Sequence, residues 1–281
     1  MISTEKLVLN NSFYYIYSPS ILGRDMFFYP LSCGHFFYAP GYSLSRSSYD
    51  SFLLIYVKNG CLELLIDNEP LSVKSDSFIF LDCYKPHAYS CADSCECIWM
   101  HFDGPLARAF FNSIHSRFGS FFSIPNPYTV ISKLESILEC FRSSSIKEAL
   151  LSKYINDILT SFLLYSPSVK NNAHSDSIDT VIAYINEHFG QPLPDTLLAD
   201  IAGLSIYHFI RIFRQKTGFT PHEYLISTRL CHARYLLRNT QLSVKDICFS
   251  CGFSNESSFC TNFKKHEGIT PLEYRMSDKE I

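Results

Sequence analysis

The last third of the chain contains an internal repeat, which constrains the fold more than any other feature of the sequence. One copy starts at Leu198 and consists of LADIAGLS followed by IYHFIRIFRQKTGFTPHEY. The other starts at Ile247 and consists of ICFSCGFS followed by NESSFCTNFKKHEGITPLEY. Matched positions lie 49 residues apart in the first block and 50 apart in the second, so one residue is inserted between the blocks. Such a repeat predicts two copies of one supersecondary unit.

Each copy has the pattern of two helices joined by a tight turn. In the first copy, Ala199 and Ala202 are small residues three positions apart, and Gly203 follows them with the backbone freedom that ends a helix. Phe209 and Phe213 then lie four residues apart, which places both on the buried face of a second helix. Two helices at a tight, glycine-containing turn form a helix-turn-helix. The repeat therefore predicts two helix-turn-helix units.

Further helices are predicted around these units. The apolar spacing indicates one long helix over 221–238 between them, with a proline at its first position. It also indicates a leading helix over 176–189. The polar segment 167–175 has no periodicity and is interpreted as a linker. We therefore assign 176–281 to an all-α domain with two helix-turn-helix units.

The first 104 residues have the short, turn-separated β-forming runs that are typical of an antiparallel barrel or jelly roll. Asn59-Gly60 lies between two such runs and predicts a hairpin, and later runs lie at 71–73, 78–81, 88–90 and 97–102. From 105 to 166 the apolar spacing predicts amphipathic helices, interpreted as a dimerisation region. The predicted fold class is α+β, with an N-terminal cupin-like β-barrel and a C-terminal all-α domain.

The charge distribution favours one kind of partner. The net charge is −3, but residues 203–275 carry ten Lys and Arg against five Asp and Glu. Backbone phosphate binding requires such a local excess of positive charge. The longest clean apolar run, 52–57, is far shorter than the ~20 residues of a membrane span, and the N-terminus has no apolar signal region. The eleven cysteines are interpreted as reduced thiols. We expect a cytoplasmic protein with no membrane partner.

Residues 176–275 resemble the DNA-binding domain of the AraC/XylS family of transcription regulators. The resemblance rests on GLS, TGFTPHEYL and GFS…FKKHEGITPLEYR, and on the Arg-x3-Ala-x2-Leu-Leu spacing of Arg229, Ala233, Leu236 and Leu237. The first 100 residues more weakly resemble the cupin-like effector domain of its sugar-responsive members, through SDSFIFLDCYKPHAY and IWMHFDG. The resemblance implies a sequence-specific regulator that binds double-stranded DNA and a small molecule.

The resemblance also implies details of the function. It favours an activator that works with RNA polymerase, a homodimer and a carbohydrate effector, and it implies no enzyme activity. Several alternatives stay open: a fatty acid or a thiol oxidant as effector, repression instead of activation, and, as the least favoured, a cupin-type small-molecule enzyme. The sequence names neither the operator nor the effector.

The predicted DNA-binding residues lie on the second helix of each unit. By resemblance, Tyr207, Ile210 and Arg211 fall where family members touch base edges, and Arg211 can donate two hydrogen bonds to a guanine. Glu256 would accept from a cytosine amine but repel phosphate, so the later helix is expected to position more than it specifies. The full predicted set is Tyr207, Ile210, Arg211, Arg214, Glu256, Ser257, Cys260, Thr261, Lys264 and Lys265.

The predicted effector-binding residues fall at or near positions where the sugar-responsive relatives line their pocket. They are Arg46, His87, Tyr89, Cys97 and Trp99. An aromatic ring stacked on a sugar, with Arg and His donating to hydroxyls, is the chemistry such a site needs.

No metal, cofactor or catalytic residue is predicted. No His-x-His precedes His87, so the ligand set of a metal-binding cupin is incomplete. Cys248 and Cys251 have CxxC spacing, but they align with Ala199 and Ala202 and are interpreted as small buried residues. A thiol sensor in a second group of cysteines stays open. That group is Cys83, Cys91, Cys95 and Cys97.

Overall fold

The computed structural model describes residues 5–66, 69–143, 146–165 and 173–277. The chain divides into two compact units, Met1–Pro167 and Ser168–Ile281. Residues 167–172 of the predicted linker 167–175 lie outside the described residues, and its last three residues, 173–175, begin a helix instead.

The first unit combines β-strands with four helices in its described part. The strands are β1 (Phe13–Ile16), β2 (Tyr29–Tyr38), β3 (Tyr42–Arg46), β4 (Phe52–Asn59), β5 (Cys61–Ile66), β6 (Glu69–Lys74), β7 (Ser77–Asp82), β8 (His87–Cys91), β9 (Cys95–Asp103) and β10 (Phe121–Phe122). The helices are α1 (Ile21–Met26), α2 (Ala107–Phe118), α3 (Tyr128–Arg142) and α4 (Glu148–Leu164).

The strands form two antiparallel sheets. One has the order β1-β2-β9-β4-β7-β10 and the other the order β3-β8-β5-β6. A hydrophobic core lies between the sheets, and it includes Leu53, Ile55, Leu62 and Tyr89. The prediction of a cupin-like antiparallel domain followed by a helical one is confirmed.

Strand β4 holds the centre of the six-stranded sheet because it is apolar on both faces. Leu53, Ile55 and Val57 face the core between the sheets, whereas Leu54 and Tyr56 face the core under the helices. A strand with two apolar faces is stable only where both faces are covered. Its two neighbours are β7 and β9.

The predicted hairpin at Asn59-Gly60 is wrong. Gly60 does form a turn with φ of +82°, and a Cβ there would lie only 2.3 Å from the carbonyl oxygen of Ser94. The strands that it joins, however, belong to different sheets, because β4 pairs with β7 and β9 while β5 pairs with β6 and β8. Both edges of β4 are already occupied, so the turn carries the chain from one sheet to the other.

Helices α2, α3 and α4 cover the outer face of the six-stranded sheet. Leu134 and Phe141 of α3 and Ile155 and Phe162 of α4 are buried in the same core as Phe78 of β7. The amphipathic helices predicted over 105–166 are therefore present, but their apolar faces are used within the protomer. Contact with a second copy would have to involve their outer faces.

The second unit contains seven described helices. They are α5 (Ala173–His188), α6 (Asp195–Ala202), α7 (Ile206–Thr217), α8 (Pro221–Asn239), α9 (Val244–Ser250), α10 (Glu256–Glu267) and α11 (Pro271–Met276). The double helix-turn-helix and the long connecting helix are confirmed, and α5 starts three residues before the predicted leading helix. One core lies on each side of α8, around the α6–α7 pair and around the α9–α10 pair.

Among the described helices, no single one is long and apolar enough to cross a membrane. The pair α6 and α7 meets that test by length and composition, with a bend of 82° between the two helices.

Candidate nucleic-acid interface and effector cavity

The turns of the two helix-turn-helix units are built in the same way. Gly203 ends α6 with φ of +64°, and Gly252 follows α9 with φ of +81°. In both copies the residue after the glycine donates its N–H to the carbonyl oxygen five positions earlier. This bond satisfies an end carbonyl of the first helix and directs the chain into the second. The shared turn explains why glycine occurs at both positions of the repeat.

Paired phenylalanines attach the second helix of each unit to its core. Phe209 and Phe213 on α7 are fully buried with ring centroids 5.5 Å apart, and Phe259 and Phe263 on α10 are fully buried at 5.7 Å. Both pairs meet edge to face, an arrangement that adds to the free energy of burial. One face of each helix is thereby fixed inward, and the opposite face is presented to solvent.

The ends of the two second helices are also equivalent. Gly218 and Gly268 end them in the left-handed conformation. Thr220 and Thr270 then open α8 and α11 with capping boxes, in which Glu223 and Glu273 bond back to the threonine backbone. These bonds lower the pKa of both glutamates, so the caps stay ionised at neutral pH.

Arg229 of α8 ties the two copies together. Its guanidinium is buried and donates from Nε to the carbonyl oxygen of Phe189 and from Nη2 to that of Gln191, both at 2.8 Å. The same segment packs against the second turn, because a Cβ on Gly252 would lie 2.7 Å from the Phe189 oxygen. Arg229 is thus a structural residue, although its charge counts toward the basic excess of this unit.

The outer face of α7 carries exposed positive charge. Tyr207 is 90% exposed, and Arg211 and Arg214 are exposed without a salt bridge to any residue that the structure describes. Ile210 differs from the prediction of an exposed position, because it is half-buried against the α6–α7 core. Ile210 therefore lies at the boundary between the buried face and the exposed face of α7.

The outer face of α10 is less basic. Its exposed predicted residues are Glu256, Ser257, Thr261, Lys264 and Lys265. Cys260 occupies the repeat position of Ile210 and, like it, is half-buried against the core, contrary to the predicted exposure. Asn255 caps α10 by accepting from the N–H of Ser258 at 2.8 Å, which leaves Glu256 in the first turn.

The first unit contains a cavity of about 270 Å³ that is lined in part by residues of the core between the two sheets. Its lining is aromatic and polar. The lining residues are Glu5, Tyr14, Ile16, Ser32, Phe36, Tyr38, Tyr42, Leu44, Arg46, Tyr49, Tyr89, Trp99 and His101. We refer to this space as the effector cavity.

Trp99 of β9 supplies a ring face and a free donor to the effector cavity. Space for the ring comes from Gly34 of β2, where a Cβ would lie 2.8 Å from the indole. Phe36 packs edge-on against it at 5.0 Å. The indole Nε1 is buried and has no hydrogen-bond partner among the described residues. A buried N–H without a partner is unfavourable, so a ligand acceptor that reached this atom would be stabilised by it.

His101 is a neutral member of the cavity wall. Burial, together with the positive charge of Arg46 and the nearby ring of His87, lowers its pKa to about 3. Its Nδ1 lies 2.8 Å from the hydroxyl of Ser51, which holds the ring in place. Arg46 lies over the ring of Tyr49 at 4.9 Å and is the cation of this wall.

Three tyrosines of the cavity, Tyr38, Tyr42 and Tyr89, remain protonated. Burial raises the pKa of Tyr38 and Tyr89 well above the usual value, and burial beside Glu5 raises that of Tyr42. Their hydroxyls are therefore neutral groups that both donate and accept hydrogen bonds. The cavity wall combines such hydroxyls with ring faces.

The structure brings together three of the five predicted effector residues. Arg46, Tyr89 and Trp99 line the effector cavity, whereas His87 lines a different cavity and Cys97 is fully buried in the core between the sheets. The sequence did not predict most of the residues that line the effector cavity. The high density of aromatic residues before position 50 was the one signal that could have indicated them. The missed polar residues are Glu5, Tyr14, Ser32, Tyr38, Tyr42, Tyr49 and His101.

Two pairs of cysteines bear on the predictions made from the sequence. Cys248 and Cys251 are fully buried, which confirms that they are packing residues. Cys95 and Cys97 lie on one face of β9 with sulfurs 3.4 Å apart, and the bond from Cys97 lowers the pKa of the Cys95 thiol. Within the described ranges, no group of three or more His, Cys, Asp or Glu could hold a metal ion.

Comparison with known proteins identifies both units. A family model described as an AraC-like ligand binding domain matches residues 29–157, and one described as a helix-turn-helix domain matches residues 198–277. The HTH-type transcriptional activator RhaS of Enterobacter sp. (strain 638) is 24% identical over 248 residues, which cover 84% of this chain and 89% of that protein.

Two further likenesses cover a smaller part of the chain. RhaS of Escherichia coli O1:K1 / APEC is 35% identical over 115 residues, 40% of this chain and 41% of that protein. The crystal structure of the DNA-binding domain of AdpA in complex with a target DNA is 31% identical and covers 36% of this chain and 91% of that one. Its TM-score is 0.35, too low to define a shared overall fold.

A ligand-binding β domain followed by a double helix-turn-helix defines a DNA-binding transcriptional regulator with a small-molecule effector. The chain belongs to the AraC family of transcriptional regulators.

Proposed function

We propose that this regulator is an activator of transcription that is controlled by a carbohydrate in the effector cavity. The RhaS relatives are transcriptional activators, which supports the sign of regulation. The observation that carries the carbohydrate assignment is the half-buried Trp99 ring with its unpartnered Nε1 in a wall of tyrosines.

The DNA contacts that we propose lie on the exposed faces of α7 and α10. Arg211 and Arg214 are exposed and carry positive charge that can reach bases and phosphates, although Arg214 also acts electrostatically on Glu223. Ile210 and Cys260 contribute only their outer edges, because both are half-buried. The proposed set is Tyr207, Ile210, Arg211, Arg214, Glu256, Ser257, Cys260, Thr261, Lys264 and Lys265.

A sugar matches the chemistry of the effector cavity better than an acyl chain does. Sugar C–H faces stack on aromatic rings, and sugar hydroxyls pair with neutral donors and acceptors such as Tyr38, Tyr89 and His101. The cation Arg46 and the indole N–H of Trp99 supply further donors. An acyl chain would leave the buried indole N–H of Trp99, which has no partner among the described residues, unpaired, and this is costly.

A thiol oxidant is the second candidate effector. Cys95 and Cys97, with sulfurs 3.4 Å apart, are close enough to form a disulfide after a small movement. Cys97 is two residues from Trp99 on the same strand face, so oxidation would also change the surroundings of the indole. Because Cys95 and Cys97 are a defined site of reaction, a thiol oxidant is tested together with the sugars.

The test measures emission of Trp99, the only tryptophan of the chain, in the full-length protein. Pentoses, hexoses and 6-deoxyhexoses are compared with octanoate and with hydrogen peroxide. We expect one sugar to change the emission saturably and the other two reagents to leave it unchanged. Arg46→Gln should weaken that response, while Arg24→Gln, an exposed arginine of α1 outside the effector cavity, should keep it. A response to octanoate or peroxide alone would overturn the carbohydrate assignment.

We further propose how the regulator is assembled. It acts as a homodimer through the outer faces of α3 and α4, works with RNA polymerase, and resides in the cytoplasm where its DNA target is. We divide it functionally into an effector domain (1–104), a dimerisation region (105–166), a linker (167–175) and a DNA-binding domain (176–281). Its relatives are transcriptional regulators, and we propose no enzyme activity for it.

A further inference from the structure

A second cavity in the first unit has no part in the function proposed above. It lies beside the end of β7, the start of β8 and helix α2, and its volume is about 330 Å³. That volume falls within the ~300–1,000 Å³ of small-molecule sites. Its apolar lining includes Leu64, Phe80 and Phe111, all buried. None of the residues that line it also lines the effector cavity.

The polar lining of the second cavity has an excess of positive charge. Arg108 of α2 forms an ion pair with Asp82, and its guanidinium is held over the rings of Phe52 at 4.5 Å and Tyr84 at 5.1 Å. Lys85 lies 4.0 Å from the same carboxylate. One carboxylate of the lining therefore faces two cations, of which Arg108 is held by its ring contacts and Lys85 is largely exposed, and the remaining charge favours an anion.

His87 adds a buried acceptor to the second cavity. Its Nδ1 lies 2.9 Å from the carbonyl oxygen of Lys85, and because a carbonyl only accepts, Nδ1 carries the hydrogen. In that tautomer Nε2 is an acceptor. His87 is 8% exposed, and Nε2 has no hydrogen-bond partner in the part of the chain that the structure describes. Such an atom needs a donor that the protein does not supply.

We propose that the second cavity is a binding site for a small organic acid with an apolar body and a hydroxyl group. The carboxylate pairs with Arg108 and Lys85, the body packs on Phe80 and Phe111, and the hydroxyl donates to Nε2 of His87. A neutral sugar satisfies neither of the two cations, so the ligand class differs from that of the effector cavity. The regulator thus has two small-molecule sites in one unit.

The test is calorimetric titration of the full-length protein with hydroxyaryl acids of different reach. The probes are 4-hydroxybenzoate, 4-hydroxyphenylacetate and 3-(4-hydroxyphenyl)propanoate. The controls for the best acid are its amide, which lacks the charge, and its dehydroxylated analogue. We expect one acid to bind and each control to bind about tenfold more weakly, since charge-assisted and buried hydrogen bonds are lost.

Three variants locate the binding. Arg108→Met and Lys85→Met should each weaken the acid about fivefold and reduce its advantage over the amide. Lys74→Met removes an exposed lysine of β6 outside the second cavity and should leave binding unchanged. His87→Leu should abolish the preference for the hydroxylated acid, because the acceptor Nε2 is removed; its melting temperature is measured as well, since the bond from Nδ1 to the Lys85 carbonyl oxygen is also lost.

The proposal is overturned if none of the three acids binds, or if the best acid binds Arg108→Met and Lys85→Met as tightly as the unmodified protein. Sugar-induced emission of Trp99 is measured in the same preparations. Because that response reports on the effector cavity alone, failure of the second site and failure of the carbohydrate proposal are distinguished.

Discussion

His101 makes the stability of the first unit depend on pH. In the folded protein its pKa is lowered from 6.5 to about 3, chiefly by burial. Between these values the unfolded chain binds one proton more than the folded chain does. The contribution of His101 to stability is therefore complete above pH 6.5 and is lost as the pH falls toward 3, by at most about 1.4 kcal/mol per pH unit.

The measurement is denaturant unfolding at pH 7.5 and pH 5.5, for the unmodified protein and for His101→Asn, whose amide can still bond to Ser51. The unmodified protein should lose more stability than the variant over this range. Equal losses would show that His101 takes up its proton in the folded state and that its environment is not as described.

At the residue scale, the sequence indicated the chemistry of the cavity but not its members. Arg46 and His87 are paired in register across β3 and β8, yet they line different cavities. The periodicity of a sequence shows which residues share a face of a strand. It does not show which of those residues line the same cavity. Gly34 illustrates the same limit, because its role is to make room for Trp99, 65 positions later in the chain.

At the element scale, α7 and α10 should contribute differently to DNA binding. Arg211→Ala should cost about 1–3 kcal/mol and relax the base preference at one position, because a bidentate contact to guanine is lost. Lys264→Ala on α10 should weaken all sequences alike and lower the salt slope by about one, as for a phosphate contact. Competition binding over a library of DNA duplexes measures both.

The matched control for these variants is Lys245→Ala, an exposed lysine of α9 outside both recognition faces. It should change neither preference nor affinity beyond a small non-specific effect. If Arg211→Ala behaves like this control, the exposed face of α7 does not read bases.

Helices and strands could be predicted where the local sequence pattern agrees with the contacts that the element makes in the fold. The repeat, the glycine ends and the phenylalanine pairs each specify a helix boundary or a helix face, and all are confirmed. Strands β1 to β3 were not predicted, because β2 contains Pro30 and Gly34 and lacks clear alternation. Asn59-Gly60 correctly predicted a turn but incorrectly predicted that β4 pairs with β5. The partners of β4 are decided by the burial of both of its faces, which the local sequence of the turn does not show.

At the scale of the whole molecule, the central claim is that two recognition helices read DNA together. Helix α8 joins the two copies with 19 residues, a length of about 28 Å. Arg229 and Gly252 both contact the segment that follows α5, so the copies are fixed to one another. Such spacing suits two successive major grooves on one face of the duplex, which repeat every ~34 Å.

Selection of the full-length protein against random DNA, followed by sequencing, tests this claim most directly. The account predicts bound sequences with two conserved blocks whose centres lie about 10 base pairs apart, with the stronger preference in the block that loses specificity in Arg211→Ala. A single conserved block of about 5 base pairs would contradict it, because only one helix of the pair would then be reading the DNA.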